Sequence, residues 1–502
     1  MPSFASIHTC ALNGVNALPV EVEVHVASGL PALSIVGLPE AAVRESKDRV
    51  RAAIQNSQFE FPARRITVNL APADLPKDGG RYDLPIAIGI LVASGQIKHE
   101  QLGDYEFHGE LSLNGDIRPA GGALPIAIAA TRNQRTLIMA PENARQAALV
   151  EAAEILEAGH LLDVCRFLVN DDSLPTPTSA PASSHQHPLD MQDVQGQPRA
   201  RRALEIAAAG RHNMLMIGPP GTGKTMLASR LPGILPAMTE PQALEAAAIQ
   251  SISRQDFDIS QWKQRPFRAP HHTASGVALV GGGSIPRPGE ISLSHQGVLF
   301  LDELTEFDRR VLDVLREPLE TGHITISRAA RQADFPARFQ LIAAMNPCPQ
   351  GYSCDGKQLC QCSAEQQRKH MSRISAPLLD RIDIHIEVPR VAHQELKQDS
   401  ARNENSQIIR QRVETAYARQ MNRQGKANAD LSSREVEDHC KLAEAEQKLL
   451  DQAVDHLRLS ARAYHRILKL ARSIADLQDS DAITKTHLSE AISYRSMDRL
   501  LS

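Results

Sequence analysis

Aromatic side chains are scarce in this chain: phenylalanine, tryptophan and tyrosine make up 4% of its 502 residues, with a single tryptophan. This scarcity argues against base stacking as the main mode of any nucleic-acid contact. No run of about 18 apolar residues occurs, so the sequence predicts no membrane-spanning helix. The first ten residues have neither a basic stretch nor a long apolar one, and we therefore expect no signal peptide.

A strong charge of either sign is also lacking. The formal net charge is −4 at pH 7, and hydrophobic residues make up 42% of the chain, which is an ordinary globular composition. A basic excess would have favoured a nucleic-acid partner. Its absence neither supports nor excludes one, because a ring of subunits can enclose a basic channel.

Cysteine is infrequent, and the odd count of seven favours a reducing cytoplasm over a disulfide scaffold. Four of the cysteines lie within fifteen residues in the spacing C-x5-C-x5-C-x-C: Cys348, Cys354, Cys360 and Cys362. Thiolates at this density suggest a structural Zn²⁺ site. The spacing is not the usual pair of closely spaced cysteines, so free or redox-active thiols are an equal alternative. We interpret Cys10, Cys165 and Cys440 as packing residues.

One glycine-rich segment, GPPGTGKT, determines the class of the chain. It consists of Gly218, Pro219, Pro220, Gly221, Thr222, Gly223, Lys224 and Thr225. The segment follows an apolar run that predicts a buried strand and precedes a predicted helix, which is the context of a phosphate-binding P-loop. Backbone amides at the helix N-terminus would bind the phosphates of ATP, Lys224 would contact the β- and γ-phosphates, and Thr225 would ligate Mg²⁺. An ordinary glycine-rich turn is the weaker alternative.

The composition divides the chain into segments. Residues 170–188 are rich in proline, serine and threonine, which predicts a linker. The linker separates an N-terminal domain, residues 1–169, from a P-loop domain, residues 189–390. Residues 391–502 combine helical periodicity with many polar residues, and we predict a helical lid there.

The N-terminal domain is predicted to be α+β. Alternating polarity in Val20–Val26 indicates a half-buried strand, and Leu33–Val36 and Ile66–Leu70 are further predicted strands. Helical periodicity occurs in four segments: Glu40–Asn56, Leu84–Ser94, Ala123–Arg132 and Ala144–Ala158.

A second apolar run, VLFLDE, ends in two carboxylates, Asp302 and Glu303. At the end of a strand beside the P-loop, Asp302 would hold Mg²⁺ and Glu303 would orient and deprotonate the attacking water. A strand capped by charges would be a reasonable alternative in isolation. The P-loop upstream favours the catalytic interpretation.

Three further polar residues follow in an informative order. Asn346 ends another predicted strand, QLIAAMN, and could bind the γ-phosphate or the lytic water. Arg381 in PLLDRID could reach the nucleotide of a neighbouring subunit in trans. Arg462 begins a lid helix and could contact the γ-phosphate. For either arginine taken alone, a surface salt bridge is the better interpretation, and only the order of the motifs favours a role at the nucleotide.

This order of motifs resembles that of AAA+ ATPases, and longer segments resemble the magnesium-chelatase-like AAA+ family in its ComM/YifB branch. The resemblance rests on FRAPHHTASG at Phe267, GGGSIPRPGEISLSHQGVLFLDEL at Gly281, AAMNPCP at Ala343, PLLDRIDIHIEVP at Pro377 and SARAYHRILKLARSIADL at Ser460. It implies an α/β protein with an N-terminal Lon-protease-like (ribosomal S5 domain 2-like) α+β domain, an AAA+ P-loop α/β core and a C-terminal helical lid. It also implies a hexameric ring.

Turn chemistry rather than core packing is indicated at His271, His272, Gly281–Gly283 and Pro286–Gly289. The resemblance implies that this region forms the first of two hairpins that project into the ring pore. The second would be formed by GHITISRAARQADFPAR, which contains Arg328, Arg331 and Arg338. Basic residues on such a hairpin suit phosphate contacts without sequence readout. Ordinary surface hairpins are the alternative.

In the N-terminal domain, PKDGGRYD resembles the nucleophile loop of Lon-type serine–lysine proteases. Arg81 stands at the place of the serine and Leu124 at that of the lysine. The absence of a nucleophile and its base disfavours peptide hydrolysis. Arg64, Arg65, Lys77 and Arg81 could face DNA, although a solvated surface is the simpler interpretation.

The family resemblance therefore implies a cytoplasmic, ATP- and Mg²⁺-dependent hexameric DNA helicase. It would promote branch migration of integrating single-stranded DNA during natural transformation and homologous recombination. Its partners would be single-stranded and branched DNA, its own copies and recombination proteins, with no membrane. The alternatives are a chelatase-type motor subunit acting on a metal-inserting partner, an ATP-dependent protease and a non-catalytic DNA-binding scaffold.

Overall fold

The computed structural model describes residues 3–98, 101–170, 172–178, 187–253, 257–283, 286–328, 331–350, 362–391, 403–457 and 459–495. The chain divides into two compact units. The first comprises residues 1–183 together with Ala247–Trp262, and the second comprises Ser184–Ala246 and Lys263–Ser502. Ala247–Trp262 lies, in sequence, within the predicted P-loop domain. The domain boundaries given above remain predictions.

The first unit is built on a seven-stranded sheet with the order β3-β4-β2-β1-β5-β8-β9. Its strands are β1 (Phe4–Asn13), β2 (Asn16–Ala27), β3 (Ala32–Val36), β4 (Arg65–Ala71), β5 (Tyr105–His108), β8 (Thr136–Met139) and β9 (Ile155–Glu157). A separate hairpin consists of β6 (Glu110–Leu111) and β7 (Ile117–Arg118). Strands β1, β2 and β4 pair antiparallel, and the other neighbours in the sheet pair parallel. The valines of Val20–Val26 are buried in alternation with more exposed residues, which confirms the predicted half-buried strand.

Five helices of the first unit lie within the described residues 3–98 and 101–170: α1 (Ala41–Asn56), α2 (Asp83–Ala93), α3 (Ala123–Arg132), α4 (Pro141–Ala147) and α5 (Leu161–Asn170). Every residue of α2 is buried, so this helix forms the centre of the core. The predicted helix Ala144–Ala158 is wrong beyond Ala147. Helix α4 ends at Ala147, and Ile155–Glu157 instead pairs with β8 as a parallel edge strand.

Ala247–Trp262 packs within the first unit. The Gly122 N–H donates a hydrogen bond to the Ser251 carbonyl oxygen at 3.1 Å, and Gln146 Nε2 donates to the Phe257 carbonyl oxygen at 3.5 Å. Trp262, the tryptophan of this chain, is 8% exposed.

The second unit contains a five-stranded parallel sheet with the order β11-β14-β17-β10-β18. Its strands are β10 (Met214–Ile217), β11 (Phe267–Arg268), β14 (Val298–Leu301), β17 (Gln340–Met345) and β18 (Ile384–Glu387). Every residue of β10, β14 and β17 is buried, as expected for a parallel sheet covered on both faces. The apolar runs predicted as strands at these positions are confirmed.

The described residues of this unit also contain two hairpins. One pairs β12 (Gly281–Gly282) with β13 (Arg287–Pro288), and the other pairs β15 (His323–Arg328) with β16 (Arg331–Pro336). Alternate apolar residues of the second hairpin, including Ile324, Ile326 and Phe335, are buried.

From residue 198 onward, fourteen helices occur in the described residues. They are α6 (Pro198–Gly210), α7 (Lys224–Arg230), α8 (Glu240–Ser251), α9 (Gly276–Val280), α10 (Glu290–Leu293), α11 (Arg309–Asp313), α12 (Arg316–Thr321), α13 (Ala364–Met371), α14 (Ala376–Leu379), α15 (Ser406–Gln424), α16 (Ser433–His439), α17 (Glu444–Leu457), α18 (Ala461–Leu477) and α19 (Lys485–Ser493). Helices α15 and α18 pack on α6, and their apolar residues share one core with β10 and β18. No described helix has both the length and the apolar composition needed to cross a membrane.

Candidate nucleotide site

The phosphate-binding loop lies between β10 and α7, as the sequence predicts. The strand ends at Ile217 and the helix begins at Lys224. A side chain at Gly218 would collide with the Val388 carbonyl oxygen, because a Cβ atom built there would lie 2.2 Å from it. Gly223 caps the helix with a φ of 87°, a left-handed conformation that glycine adopts without strain.

A cavity of about 880 Å³ opens at this loop, within the range that holds a small ligand or cofactor. Its lining includes the P-loop from Pro220 to Thr225, together with Asp302, Glu303 and Asn346. The sheet order explains this convergence, since β17 lies between β14 and β10. The carboxyl ends of three parallel strands thus bring together the acidic pair, the asparagine and the P-loop.

Lys224 is buried and reaches across the loop. Its Nζ donates hydrogen bonds to the carbonyl oxygens of Gly218 at 2.6 Å and Pro219 at 2.8 Å, and to Asn346 Oδ1 at 3.3 Å. Burial lowers the pKa of the Lys224 ammonium, and the carboxylates of Asp302 and Glu303 oppose this shift. The predicted phosphate-binding cation and the predicted sensor therefore contact each other directly.

Thr225 and Asp302 form the candidate Mg²⁺ site. Thr225 Oγ1 donates a hydrogen bond to Asp302 Oδ2 at 2.5 Å, and Asp302 Oδ1 accepts from the Glu303 N–H at 2.9 Å. Mg²⁺ prefers oxygen ligands and is commonly held by one or two carboxylates together with substrate phosphates. The hydroxyl and carboxylate present here fit that ion.

Glu303 adopts a left-handed backbone conformation, with φ 52° and ψ 48°. Its Oε2 lies 3.1 Å from Nδ1 of His272. The sequence pattern indicated only turn chemistry at His271 and His272, and this contact was not predicted.

The two candidate arginines lie elsewhere in the second unit. Arg381 forms an ion pair with Glu320 and donates from Nη1 to the Pro377 carbonyl oxygen at 2.6 Å. Arg462 is exposed in the first turn of α18. Both are described residues and neither lines the nucleotide cavity, so their roles at the nucleotide stay predictions.

Arg466, one turn after Arg462, makes a buried contact that the sequence did not indicate. Its guanidinium pairs with Asp383, which also accepts from His212 Nδ1 at 3.3 Å. Burial alone would raise the pKa of the Asp383 carboxyl, but Arg466 and His212 hold it well below its usual range. This ion pair fixes the start of α18 to β18.

Residues on the other side of the cavity were also missed. Val194, Gln195 and Gln197 lie before α6, and Arg390 and Val391 follow β18. Gln197 Nε2 donates to the Pro389 carbonyl oxygen at 2.6 Å, which ties these two segments together. The only sequence signal was a short polar turn, VQGQP, directly before a helix.

The described residues give no support to the predicted zinc site. No group of three or more His, Cys, Asp or Glu side chains in this part of the chain could hold a metal ion. Cys348 is buried, whereas Cys354 and Cys360 lie outside the described residues.

In the first unit, Arg81 and Leu124 are both buried. Lys77 is also buried, with Nζ donating to the Pro72 carbonyl oxygen. The hypothesis that Lys77 and Arg81 face DNA is therefore wrong, because their side chains are enclosed by the domain. Arg64 and Arg65 are exposed.

Three family models match successive segments of the chain. Residues 190–396 match the family described as magnesium chelatase, subunit ChlI, residues 22–143 match subunit ChlI of Mg-chelatase, and residues 403–495 match the ChlI C-terminal family. The competence protein ComM of Haemophilus influenzae is 52% identical over 99% of both chains. The uncharacterized protein YifB of Salmonella typhimurium is 51% identical, covering 99% of this chain and 98% of the relative. The chloroplastic magnesium-chelatase subunit ChlI of Chlamydomonas reinhardtii is 23% identical over 43% of this chain and 56% of the relative.

Proposed function

Because the chain belongs to the ComM/YifB family of magnesium-chelatase-like proteins, we propose that it is an AAA+ motor that acts on DNA. Membership of this family implies the use of ATP and Mg²⁺. The specific activity that we propose is a helicase promoting branch migration of integrating single-stranded DNA during natural transformation. The protein would act as a hexameric ring in the cytoplasm.

The observation that carries the ATPase part of the proposal is the contact network at one edge of the parallel sheet. Lys224 contacts Asn346, and Thr225 contacts Asp302. Three strands that are far apart in sequence thus supply a cation, an amide and a carboxylate to one cavity. Phosphoryl transfer requires mainly positioning and charge stabilisation, and this set of groups supplies both.

Each group would have a separate task in hydrolysis. Lys224 and the backbone amides of the P-loop would bind the β- and γ-phosphates, and Asn346 would orient the γ-phosphate or the water. Glu303 would accept the proton of the attacking water as the bond between the γ-phosphorus and the bridging oxygen breaks. Thr225 and Asp302 would hold Mg²⁺, which would supply positive charge against the phosphates.

Support for DNA as the substrate comes from the relatives and from the hairpin β15–β16. The Haemophilus influenzae relative is named a competence protein and aligns over 99% of both chains. Arg328 and Arg331 pair across the hairpin, where basic residues would suit contacts with phosphates. We infer that single-stranded and branched DNA, further copies of the chain and recombination proteins are the partners.

A chelatase-type motor subunit is the second candidate function. All three matching family descriptions name the ChlI subunit of magnesium chelatase. However, the Chlamydomonas reinhardtii chelatase subunit aligns with less than half of this chain. The competence protein of Haemophilus influenzae aligns with 99% of this chain, and this longer alignment favours the DNA motor.

The deciding experiment measures ATP hydrolysis by the full chain with and without single-stranded DNA. A porphyrin and casein serve as controls for the chelatase and protease alternatives. We expect DNA to raise the rate and the controls to leave it unchanged. Stimulation by porphyrin alone would favour the chelatase function.

Two variants test the site in the same assay. Lys224→Ala removes a cation from the phosphates and should weaken both nucleotide binding and turnover. Glu303→Gln leaves Thr225 and Asp302 intact, so ATP should still bind while turnover is lost. Turnover near that of the wild type for Glu303→Gln would exclude Glu303 as the base.

A further inference from the structure

His272 lies beside Glu303 because two neighbouring strands end at the same edge of the sheet. Strand β11 pairs parallel with β14, with Phe267 opposite Val298 and Arg268 opposite Leu299. The loop that follows β11 therefore leaves the sheet next to the segment that follows β14. This adjacency brings His272 Nδ1 to 3.1 Å from Glu303 Oε2.

The Glu303 side chain needs a partner if it is to hold one orientation. It is 51% exposed, and a glutamate side chain at the surface samples several rotamers. Asp302, by comparison, is fixed through both oxygens, by Thr225 and by the Glu303 N–H. Among the described residues, His272 is the side chain within ion-pair distance of the Glu303 carboxylate.

His272 is itself supported by its neighbour. The rings of His271 and His272 are 4.1 Å apart between centroids and inclined by 33°. His271 Nδ1 lies 2.9 Å from Thr273 Oγ1, and the Thr273 N–H donates to the same nitrogen at 3.4 Å. The imidazole of His272 thus rests on a second ring that is held by its own loop.

We propose that His272 is a positioning residue for ATP hydrolysis: it holds Oε2 of Glu303 so that Oε1 faces the attacking water. This inference rests on the proposed ATPase function. A carboxylate has two acceptor oxygens, so one can be fixed by the imidazole while the other takes the proton of water. His272 would act through Glu303, and it is not one of the residues that line the nucleotide cavity.

The proposal predicts a specific kinetic effect. Misplacing a catalytic group lowers the rate of the chemical step without weakening substrate binding. For His272→Ala we expect kcat to fall roughly ten- to hundredfold, because small displacements of reacting groups have effects of that order. The KM for ATP and the affinity for a fluorescent ATP analogue should stay within about twofold of the wild type. The substitution leaves unchanged the contacts that bind ATP equally in the ground state and the transition state.

Two conservative variants distinguish positioning from a general structural role. The amide nitrogen of asparagine lies about as far from the backbone as Nδ1 of histidine, and that of glutamine lies one bond further away. His272→Asn should therefore retain most of the activity, whereas His272→Gln should behave like His272→Ala. His271→Ala is the matched control, because His271 supports the ring without contacting Glu303, and its loss of kcat should be smaller.

A double-mutant cycle completes the test. If His272 acts through Glu303, adding His272→Ala to Glu303→Gln should not lower the residual single-turnover rate further. Three outcomes would each overturn the proposal and leave the ATPase function intact. These are rate effects of His272→Ala and Glu303→Gln that multiply in the double variant, an unchanged kcat in His272→Ala, and a raised kcat in His272→Ala. Failure of the wild-type chain to hydrolyse ATP would overturn both.

Discussion

At the scale of single residues, His108 carries a buried imidazole whose pKa is shifted downward. It ends β5 and is fully buried, and neither ring nitrogen has a hydrogen-bond partner among the described residues. Burial, reinforced by the charge of Arg81, holds the pKa of its imidazole well below the ordinary value of 6.5. As pH falls below about 6.5, the unfolded chain therefore binds a proton at this position that the folded chain does not.

We predict that His108 makes the first unit less stable as pH falls from about 7.5 to about 5.5, since protonation favours the unfolded state. The slope approaches about 1.4 kcal/mol per pH unit once the unfolded imidazole is fully protonated. His108→Leu, which has a similar volume and no titrating group, should remove this contribution. Urea titration of the full chain, followed by Trp262 fluorescence, measures it because Trp262 belongs to the first unit.

The exposed His25 provides the control for this measurement. His25→Gln should keep the pH dependence of the wild type. If His108→Leu and the wild type lose the same stability on acidification, the buried imidazole is not the source.

At the scale of secondary structure elements, the ion pair between Arg381 and Glu320 connects α12 to the turn after α14. The guanidinium is 12% exposed and the carboxylate 54% exposed. If Arg381 acts on the nucleotide of a neighbouring subunit, it must leave Glu320 to do so. A pair with one exposed partner contributes only about 0–1 kcal/mol, so assembly could readily exchange it for contact with a phosphate.

We predict opposite effects for the two partners of this pair. Arg381→Ala should lower turnover by roughly 10³-fold or more, as for trans arginines in other nucleotidases. Glu320→Gln should raise turnover, by no more than about fivefold, because it removes only the competing partner. Steady-state ATPase assays of both variants test this.

Mixed rings test whether Arg381 acts in trans. Mixing the Arg381→Ala protein with the Glu303→Gln protein should restore some activity. At some interfaces the Arg381→Ala subunit then supplies the intact Glu303, and its Glu303→Gln neighbour supplies the intact Arg381. If no mixing ratio restores activity although both variants co-assemble, Arg381 does not act across subunits.

The elements that could be predicted from sequence are those with a local signal. The strands β10, β14 and β17 are apolar runs followed by polar residues, and their order along the chain indicated the P-loop, Asp302 and Asn346 correctly as neighbours. The end of α4 and the strand β9 could not be predicted, because β9 is defined by its pairing with a distant strand.

The residues missed at the site share a physical cause. His272 follows a strand of only two residues, Phe267–Arg268, which is too short to show periodicity. Its contact with Glu303 depends on the pairing of β11 with β14. Gln197 and Arg390 likewise reach the cavity from irregular segments. Sequence patterns locate regular elements, whereas these side chains are brought together by tertiary contacts.

At the scale of the whole molecule, the net charge of −4 means that binding of DNA would depend on local basic groups. The hairpin β15–β16 offers such groups at two levels. Arg328 and Arg331 are the last register pair of the two strands, at the end opposite His323 and Pro336. Arg338 follows β16 at the base, where its backbone N–H donates to His295 Nδ1 at 3.0 Å and its side chain packs against Gly322. Strands of this length separate the two ends by about 20 Å.

We predict that the affinity for single-stranded DNA is nearly independent of base sequence and falls steeply with salt. Each neutralised phosphate contributes about −0.7 to the slope of log affinity against log salt concentration on single strands, because binding releases counterions. Arg328→Ala or Arg331→Ala should flatten the slope and abolish DNA stimulation while leaving basal hydrolysis intact. Arg338→Ala, at the base of the same hairpin, should have a smaller effect and serves as the matched control. Binding measured across a salt series tests this prediction. An affinity insensitive to salt would exclude electrostatic binding. Equal effects of Arg331→Ala and Arg338→Ala would exclude the Arg328–Arg331 end of the hairpin as the main contact.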